Sequence, residues 1–513
     1  MDTERKTLSL VSVEETGFDS TPRLRAGVAK SDITTDEKGV KIRDRLYAKA
    51  LVLDDDTTQV VIIAMDVTAI GSRRISQRIL DDVGEEFLPR LRERIDKELG
   101  IPGRNVLVNA SHTHSRGKML CNDEEQIERT FDAVRCAMEN MAEVKIGAGL
   151  GYEDRITINR TLRLKNGQRW TIRYAYPSPP DQEVADVGPV DPEIGVIRID
   201  RLDGRPLAVV YNFACHPLFG DPQGSITANF PGVASRIIEE SLGHGVIALF
   251  LQGAAGDIVD VWFKDFNRPR DIEPLGAMLA LSTLKAWRNL KTTPNARLNV
   301  ISEIIELPRR TDIPEHIAEL QKEQAELLKS LRFTALNFKT FLSLYLRYAL
   351  YPEHPLDNSY RYLQTEKRGS DEFRAMDDFN RRNIKRYLQN IYTMEKLAKI
   401  QDDIATLRKH QTINEEAGIP TISAEVQGIR IGDCVLITSP AELLVEVGLN
   451  IKRASPYKHT FVVSCSNGYL HYGPPETEYS KGGYEATECL LALEWQKIYE
   501  QKALEIIRRL RES

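Results

Sequence analysis

The feature that most constrains the fold is an alternation of short apolar segments with amphipathic segments along most of the chain. Tyr47–Asp54 and Gln59–Asp66 have the composition of two strands joined by an acidic turn. The amphipathic stretch Ser76–Leu99 predicts a helix that ends at a glycine. Asn105–Ala110 and Gly245–Leu251 predict further buried strands. Such an alternation is typical of α/β proteins, so we expect mixed β-sheets covered by helices.

One long segment departs from this alternation. From Glu315 to about Thr412 the sequence is rich in Leu, Lys, Glu, Arg and Tyr and contains a single glycine, Gly369. This pattern predicts two to four consecutive helices, and strand patterns resume at Ile422–Ile431. We therefore expect a helical insertion, which serves either as structural cover or a subunit contact, or as a lid or pocket wall. The predicted division is an N-terminal arm (1–24), the first part of the core (25–312), the helical insertion (313–415) and the second part of the core with a C-terminal helix (416–513).

Composition excludes several classes of protein. Lys and Arg number 69 against 75 for Asp and Glu, a net charge of −6 that argues against a protein built mainly to bind nucleic acid. The six cysteines form no Cys-x-x-Cys pair, which argues against a thiolate zinc ribbon and a disulfide scaffold. The sequence contains no signal-peptide pattern and no run approaching the ~20 apolar residues of a membrane span. A reduced, cytoplasmic location is therefore expected.

Histidines are few, and some of them follow predicted strands. The chain has nine, and two of them, His112 and His114, occur in Asn109–Ser115 directly after an apolar strand. Side chains at positions i and i+2 of an extended segment share one face, although such a pair alone is more often two unrelated loop residues. His216 ends another strand, in Tyr211–Pro217. Two strand-end clusters in a chain so poor in histidine favour a metal site, and imidazole is a preferred ligand of zinc.

Two further segments carry polar groups suited to such a site. Glu442 closely follows a buried strand, where a carboxylate is equally well explained as the first-turn residue of a helix. Beyond it, Tyr469, Tyr472, Tyr479 and Tyr484 lie in a loop that contains Gly and Pro. These tyrosines predict a polar pocket wall, with ordinary aromatic packing at the surface as the alternative.

Taken in order along the chain, these motifs resemble the catalytic domain of neutral or alkaline (non-lysosomal) ceramidases. The matching segments are Ala26–Thr34, Asn109–Ser115, Asn212–Pro217, Gln252–Asp257, Ser439–Glu442 and Asn467–Glu485. The resemblance extends from about residue 25 to about residue 487, and it implies a zinc-dependent amide hydrolase.

The resemblance also implies roles for individual residues. It implies one Zn²⁺ ion with four protein ligands: His112, His216, Glu442 and Tyr472. His114 would lie beside the metal and stabilise the oxyanion, and Tyr484 would donate to the substrate carbonyl. Arg160, which follows Asn159, would line the polar end of the pocket.

The sequence departs from the family pattern at several points. Val259 replaces the serine that the family places near the metal, so we expect direct attack by a zinc-activated water, with His114 protonating the leaving amine. Arg116 and Lys118 replace a glycine-rich continuation. They either bind a carboxylate, phosphate or other polar group of the substrate or point to solvent. The pattern also predicts no C-terminal immunoglobulin-like domain.

The expected function is hydrolysis of a carbon–nitrogen amide bond in a small-molecule substrate more polar than ceramide. The alternatives are a zinc-dependent ester or lactone hydrolase and a catalytically inactive, zinc-stabilised binding protein. Asp66 and Asp257 would either orient the metal-bound histidines or serve as turn residues. The helical insertion could also join subunits in a homo-oligomer.

Overall fold

The computed structural model describes residues 24–512, apart from 72–82, 115–118, 173–178, 219, 221–223, 264, 266, 268–270 and 295. Arg116, Lys118 and nearly all of the predicted N-terminal arm therefore lie outside the described residues.

The strands, in chain order, are β1 (Arg25–Asp32), β2 (Tyr47–Asp54), β3 (Gln59–Met65), β4 (Val106–Ala110), β5 (Ala142–Tyr152), β6 (Thr157–Asn159), β7 (Thr161–Leu164), β8 (Arg169–Thr171), β9 (Val184–Val187), β10 (Glu193–Arg201), β11 (Pro206–Phe213), β12 (Ile247–Gln252), β13 (Ile258–Asp260), β14 (Leu298–Pro308), β15 (Thr421–Ile431), β16 (Cys434–Thr438), β17 (Glu442–Leu443), β18 (His459–Val463) and β19 (Tyr472–Gly473). The helices are α1 (Phe87–Leu99), α2 (Asp123–Glu139), α3 (Asn229–Leu242), α4 (Glu273–Asn289), α5 (Ile313–Ser330), α6 (Phe338–Leu350), α7 (Ser359–Lys367), α8 (Glu372–Ala417), α9 (Val445–Ala454), α10 (Tyr484–Thr487) and α11 (Trp495–Glu512).

Two mixed sheets form the centre of the molecule. The larger has eight strands in the order β12–β11–β10–β5–β1–β2–β3–β4, and the smaller has four in the order β14–β15–β16–β18. Most neighbouring strands are antiparallel, but β3/β4, β11/β12 and β16/β18 are parallel pairs. The arrangement confirms the expected α/β class.

Both faces of the larger sheet are buried, and the alternation of side chains in β3 shows how. Val61 and Ile63 point to one face, where they pack with residues of α1 and α2. Val60 and Ile62 point to the other face, where they share a core with residues of all four strands of the smaller sheet. Helices α3 and α4 also cover the larger sheet, while α9 and α11 cover the outer face of the smaller one. The order of layers is therefore helix, sheet, sheet, helix.

The long helical segment lies between two strands that pair directly. β14 and β15 are antiparallel along their full length, from Leu298 opposite Ile431 to Pro308 opposite Thr421. Helices α5–α8 connect them, and α8 alone has 46 residues. Helices α5 and α8 pack through the apolar residues Ile313, Ile317, Ile400, Ile404 and Leu407. The exact domain boundaries stay a prediction.

Some predicted elements differ in the structure. The helix predicted over 76–99 begins at Phe87, after Val83 forms an isolated bridge with Ile70; residues 76–82 are not described. The terminal helix predicted from Glu485 is two helices, because residues of the 488–494 segment bridge to distant parts of the chain. No helix among the described residues is long and apolar enough to cross a membrane.

Candidate metal centre

The site forms where strands of both sheets end at a common edge. Asn109 is the second-to-last residue of β4. Its side-chain amide donates to the Ser464 carbonyl at 2.6 Å, and its side-chain oxygen accepts from the backbone amide of Gln252 at 2.9 Å. These bonds join the carboxyl ends of β4, β12 and β18. Because carboxyl ends of strands meet here, side chains that follow them converge on one place, as they do at ligand sites of other α/β sheets.

Three imidazoles and one carboxylate meet at this edge. The Oε2 atom of Glu442 lies 3.1 Å from Nε2 of His112 and 3.0 Å from Nε2 of His216. The Nε2 atoms of His114 and His112 are 3.2 Å apart. Ligand atoms of the three histidines all lie within 4.8 Å of one another, and the side chains of His112 and Glu442 are 2% and 3% exposed.

Backbone carbonyls fix which ring nitrogen faces the centre. Nδ1 of His112 donates to the Thr68 carbonyl at 2.6 Å, and Nδ1 of His216 donates to the Ala255 carbonyl at 2.5 Å. Since a carbonyl only accepts, Nδ1 carries a proton in each ring, and Nε2 is the nitrogen that faces the centre. This is the arrangement that orients metal-binding histidines in proteins.

Asp66 and Asp257, the carboxylates considered for that role from the sequence, make different contacts. Asp66 accepts from the Tyr47 amide at 2.9 Å, and Asp257 accepts from the Val445 amide at 2.8 Å and from the Asn159 side chain. Burial raises the pKa of Asp66 to about 6 and that of Asp257 to about 7. The histidines are therefore oriented by carbonyl groups.

The electrostatics of the cluster favour a cation. Burial alone would raise the pKa of Glu442, but the imidazoles of His112 and His216 hold it well below its ordinary value. Burial and the two neighbouring imidazoles keep the pKa of His114 well below its usual range. Despite burial, Glu442 in turn raises the pKa of His112 well above its ordinary value, so a cation would displace a proton from this ring. Imidazole nitrogens freed of that proton and an ionised carboxylate form the donor set that zinc prefers, so these residues fit the expected ion.

Tyr469 is a residue to which the sequence assigned no individual role. Its hydroxyl donates to Oε1 of Glu442, on the side of the carboxylate opposite the histidine contacts. The signal that could have found it was its place in the tyrosine-rich loop. Glu442 itself lies in strand β17, and helix α9 begins only at Val445, so the alternative of a first-turn helical glutamate is wrong.

The predicted ligand Tyr472 lies beside Glu442 on the paired strand β19. Its hydroxyl accepts a hydrogen bond from Nη2 of Arg160 at 3.1 Å, and its ring centroid is 5.4 Å from that of Tyr484. The Arg160 guanidinium lies 5.7 Å from both ring centroids. These three predicted residues are thus close together, next to the carboxylate of the cluster.

Arg160 is fixed in place by several hydrogen bonds to other residues of the chain. Its Nε donates to Glu485 at 2.8 Å and its Nη2 also donates to the Gly256 carbonyl at 2.7 Å. Thr171 donates to the same Glu485 carboxylate at 2.7 Å. Arg160 is 4% exposed, so it forms a buried ion pair at the edge of the site.

Other predicted residues have different surroundings. Val259 is buried and its backbone forms an isolated bridge with that of His216, so an aliphatic residue pairs with one of the cluster histidines. Tyr479 packs in the core behind the smaller sheet and donates to the Leu491 carbonyl at 2.9 Å, so the prediction that it lines a pocket wall is wrong. Arg116 and Lys118 belong to the undescribed segment that follows His114.

Several non-glycine residues around the site have left-handed backbone conformations. The φ angles are +63° at His112, +54° at Cys465, +56° at Asn467 and +58° at His471. Such conformations are costly and persist where the surrounding structure enforces them, commonly at functional sites. The turn at His112 aims its ring back toward Glu442.

Together, the fold and the site define an α/β protein with a candidate metal centre at the edge of its two sheets. No known protein-family profile matches the sequence. The fold is similar to that of neutral ceramidase from Pseudomonas aeruginosa, with a TM-score of 0.61, 16% identity, and coverage of 96% of this chain and 75% of that chain. A ceramidase complexed with C2 gives a TM-score of 0.60 and 14% identity over the same shares of the two chains. The chain therefore has a ceramidase-like fold.

Proposed function

We propose that the protein is a zinc-dependent hydrolase of a carbon–nitrogen amide bond. The observation that carries the proposal is the convergence of inward-facing imidazole nitrogens and a carboxylate on one buried point. The ceramidase-like fold supports the reaction class. His112, His216 and Glu442 would hold the ion, with Tyr472 as the fourth ligand.

The chemistry divides between the ion and the side chains around it. Bound zinc would polarise the amide carbonyl and lower the pKa of a water molecule to about 7. His114 would accept a proton at Nε2 from the attacking water and return it to the leaving nitrogen. Tyr484 would donate to the carbonyl oxygen as negative charge develops there.

Substrate and alternatives follow from the surroundings of the cluster. Val259 stands in the position of the family serine, so that motif supplies no covalent nucleophile, which favours direct attack by water. Arg116 and Lys118 are proposed to favour a small or medium-sized polar amide. An ester or lactone hydrolase and an inactive zinc-stabilised binding protein are the competing functions.

Turnover on a panel of amides and esters, with and without a chelator, tests the proposal. Amide hydrolysis that stops on chelation and returns with zinc supports it. Ester turnover alone favours the second function, and no turnover on any member of the panel favours the third. His112→Ala and His216→Ala should lose activity and the zinc bound at this centre, whereas His244→Asn, at an exposed left-handed position, should keep both. Zinc retained at this centre in either ligand variant would contradict the ligand set.

The roles of Tyr484 and His114 are tested separately from metal binding. Tyr484→Phe and His114→Ala should keep most of the zinc and lose about 10²–10³-fold in kcat, the usual cost of removing one donor to a developing oxyanion. Near-normal turnover in both variants would reassign the oxyanion-binding groups.

Substrate polarity is tested by kcat/KM for long-chain ceramide against short, anionic N-acyl compounds. We expect the anionic compounds to be the better substrates. A preference for long-chain ceramide of about tenfold or more, equivalent to about 1.4 kcal/mol, would contradict the role of Arg116 and Lys118.

The helical insertion is proposed to form part of the pocket mouth or a subunit contact. Contacts between α8 and α10, the helix that begins at Tyr484, support the first role. The second is supported by exposed apolar side chains on one side of α6: Phe338, Leu342, Tyr345, Leu346 and Leu350. The cytoplasmic location stays a prediction from the sequence.

A further inference from the structure

A second cluster of metal-binding side chains lies between the helical insertion and the core. His410 is on α8, about two turns before that helix ends at Ala417; His471 directly precedes β19; and Glu488 follows α10. Their potential ligand atoms all lie within 4.8 Å of one another. Nε2 of His410 is 3.2 Å from Oε2 of Glu488, and the two imidazole centroids are 5.4 Å apart.

The two imidazoles are buried and poorly satisfied. His410 is fully buried and His471 is 9% exposed. Within the described part of the chain, both ring nitrogens of His410 and the Nε2 atom of His471 lack a hydrogen-bond partner of good geometry. Burying polar groups without partners is costly, and native proteins avoid it unless an ion or a water satisfies them. A cation among the three side chains would satisfy both rings.

The backbone around His471 holds its ring in this position. His471 has a left-handed φ of +58° and forms an isolated bridge with Cys489, the residue after Glu488. Its carbonyl accepts from the Glu442 amide at 2.9 Å, which ties it to the candidate metal centre. The left-handed conformation and these two contacts place His471 and Glu488 side by side within the core. Helix α8 supplies the third side chain, His410.

We propose that His410, His471 and Glu488 form a second site for a divalent transition metal, with zinc the best match. Two imidazoles and one carboxylate are a known zinc ligand set, with the fourth position left to water, whereas calcium and magnesium prefer all-oxygen sites. The site joins the insertion to the core, because one ligand comes from α8 and two come from the core. The proposal does not rest on the hydrolase function proposed above.

The second site would also stabilise the tyrosine-rich loop. His471 lies between Tyr469, which donates to Glu442, and Tyr472, the proposed zinc ligand. The ring centroids of Tyr469 and His471 are 5.3 Å apart. Fixing His471 through a metal would therefore hold both tyrosines in place and couple the insertion to the geometry of the first centre.

Metal stoichiometry of the full chain tests the proposal. After dialysis against zinc and then against metal-free buffer, elemental analysis should find two equivalents per chain. His410→Gln should retain one equivalent, and His112→Ala should also retain one. The double variant should retain none. His316→Gln, a half-buried histidine elsewhere in the insertion, is the matched control and should keep both.

A second measurement covers the case in which His410→Gln fails to fold. Hydrogen exchange on the wild-type chain, with and without zinc, should show slower exchange of the last turns of α8 when zinc is present, and Glu488→Gln should abolish that protection. One equivalent in the wild type, unchanged in His410→Gln, would overturn the second site. Loss of zinc in His112→Ala alone would then still support the first centre, so the two ideas fail separately.

Discussion

The buried pair of Arg160 and Glu485 gives a prediction whose size follows from the structure. Arg160→Met removes the donor to Glu485 at 2.8 Å and the donors to the Gly256 carbonyl and the Tyr472 hydroxyl. The side chains of the pair are 4% and 3% exposed, so water cannot replace the lost donor. The Thr171 hydroxyl, at 2.7 Å, and the Thr161 hydroxyl, at 3.4 Å, would still donate to the carboxylate, but neither carries a compensating charge.

Removing one partner of a buried ion pair costs about 3–5 kcal/mol, because the other charge stays buried without compensation. We expect Arg160→Met to fall in the upper part of that range, since the Gly256 carbonyl also loses its donor. Arg160→Met combined with Glu485→Leu removes both charges. The double variant should be more stable than the sum of the single changes predicts, by about 2–3 kcal/mol.

Urea unfolding of the metal-free chain, followed by tryptophan fluorescence, measures these free energies without a contribution from zinc. Arg169→Met is the control: Arg169 pairs with Glu478 at 2.7 Å, but both side chains are more exposed, at 11% and 12%. Arg169→Met should lower the free energy of unfolding by less than Arg160→Met does. If the effects of Arg160→Met and Glu485→Leu on the free energy of unfolding simply add in the double variant, the pairing is refuted. A higher KM for a polar amide in Arg160→Met, with stability unchanged, would instead support the substrate contact predicted from the sequence.

Three further predictions concern the cluster, the core and the insertion. Tyr469→Phe should raise the Kd for zinc about 10–100-fold in chelator competition, because the hydroxyl orients Glu442. The control Tyr479→Phe should leave the Kd unchanged, and equal zinc affinities of the two variants would contradict the prediction. Burial raises the pKa of Asp66 to about 6 in the folded chain, so the wild type loses stability as pH rises through that value. Relative to the wild type, Asp66→Asn should gain about 1.4 kcal/mol between about pH 5 and about pH 8 in urea unfolding, and a constant difference would contradict the shift. Leu346→Glu should convert a homo-oligomer to a monomer in light scattering, a prediction that a monomeric wild type would refute.

The sequence was sufficient for the fold class because the larger sheet is buried on both faces. Strands such as β3 are then apolar at successive positions, and their ends are marked by turn residues. It was insufficient for the segment after Thr487. Local periodicity there favours a continuous helix, but Leu491 bridges to Arg309 and Cys489 bridges to His471. Those contacts depend on the tertiary arrangement, which no local pattern contains.

Some features of the candidate site could likewise be predicted from the sequence, and others could not. His112 and His216 could be predicted as one cluster because each follows a strand and strand ends converge at one edge, whereas Glu442 was added by the family resemblance. The carbonyl groups that orient the histidines could not be found, since every residue has a carbonyl and only the folded chain selects two of them. The cluster of His410 and Glu488 was also missed, because its members are far apart in sequence and share no motif.

The topology explains how an insertion of four helices can influence the site. Pro308 and Thr421 are paired, so the insertion leaves and re-enters the smaller sheet at one point. At its start, Arg310 is 4% exposed and donates to the Ala486 carbonyl at 2.6 Å, just after Tyr484. Near its end, His410 contacts Glu488. Both ends of the insertion therefore contact the short segment that carries Tyr484, the proposed carbonyl donor, so the position of that residue depends on how the insertion packs.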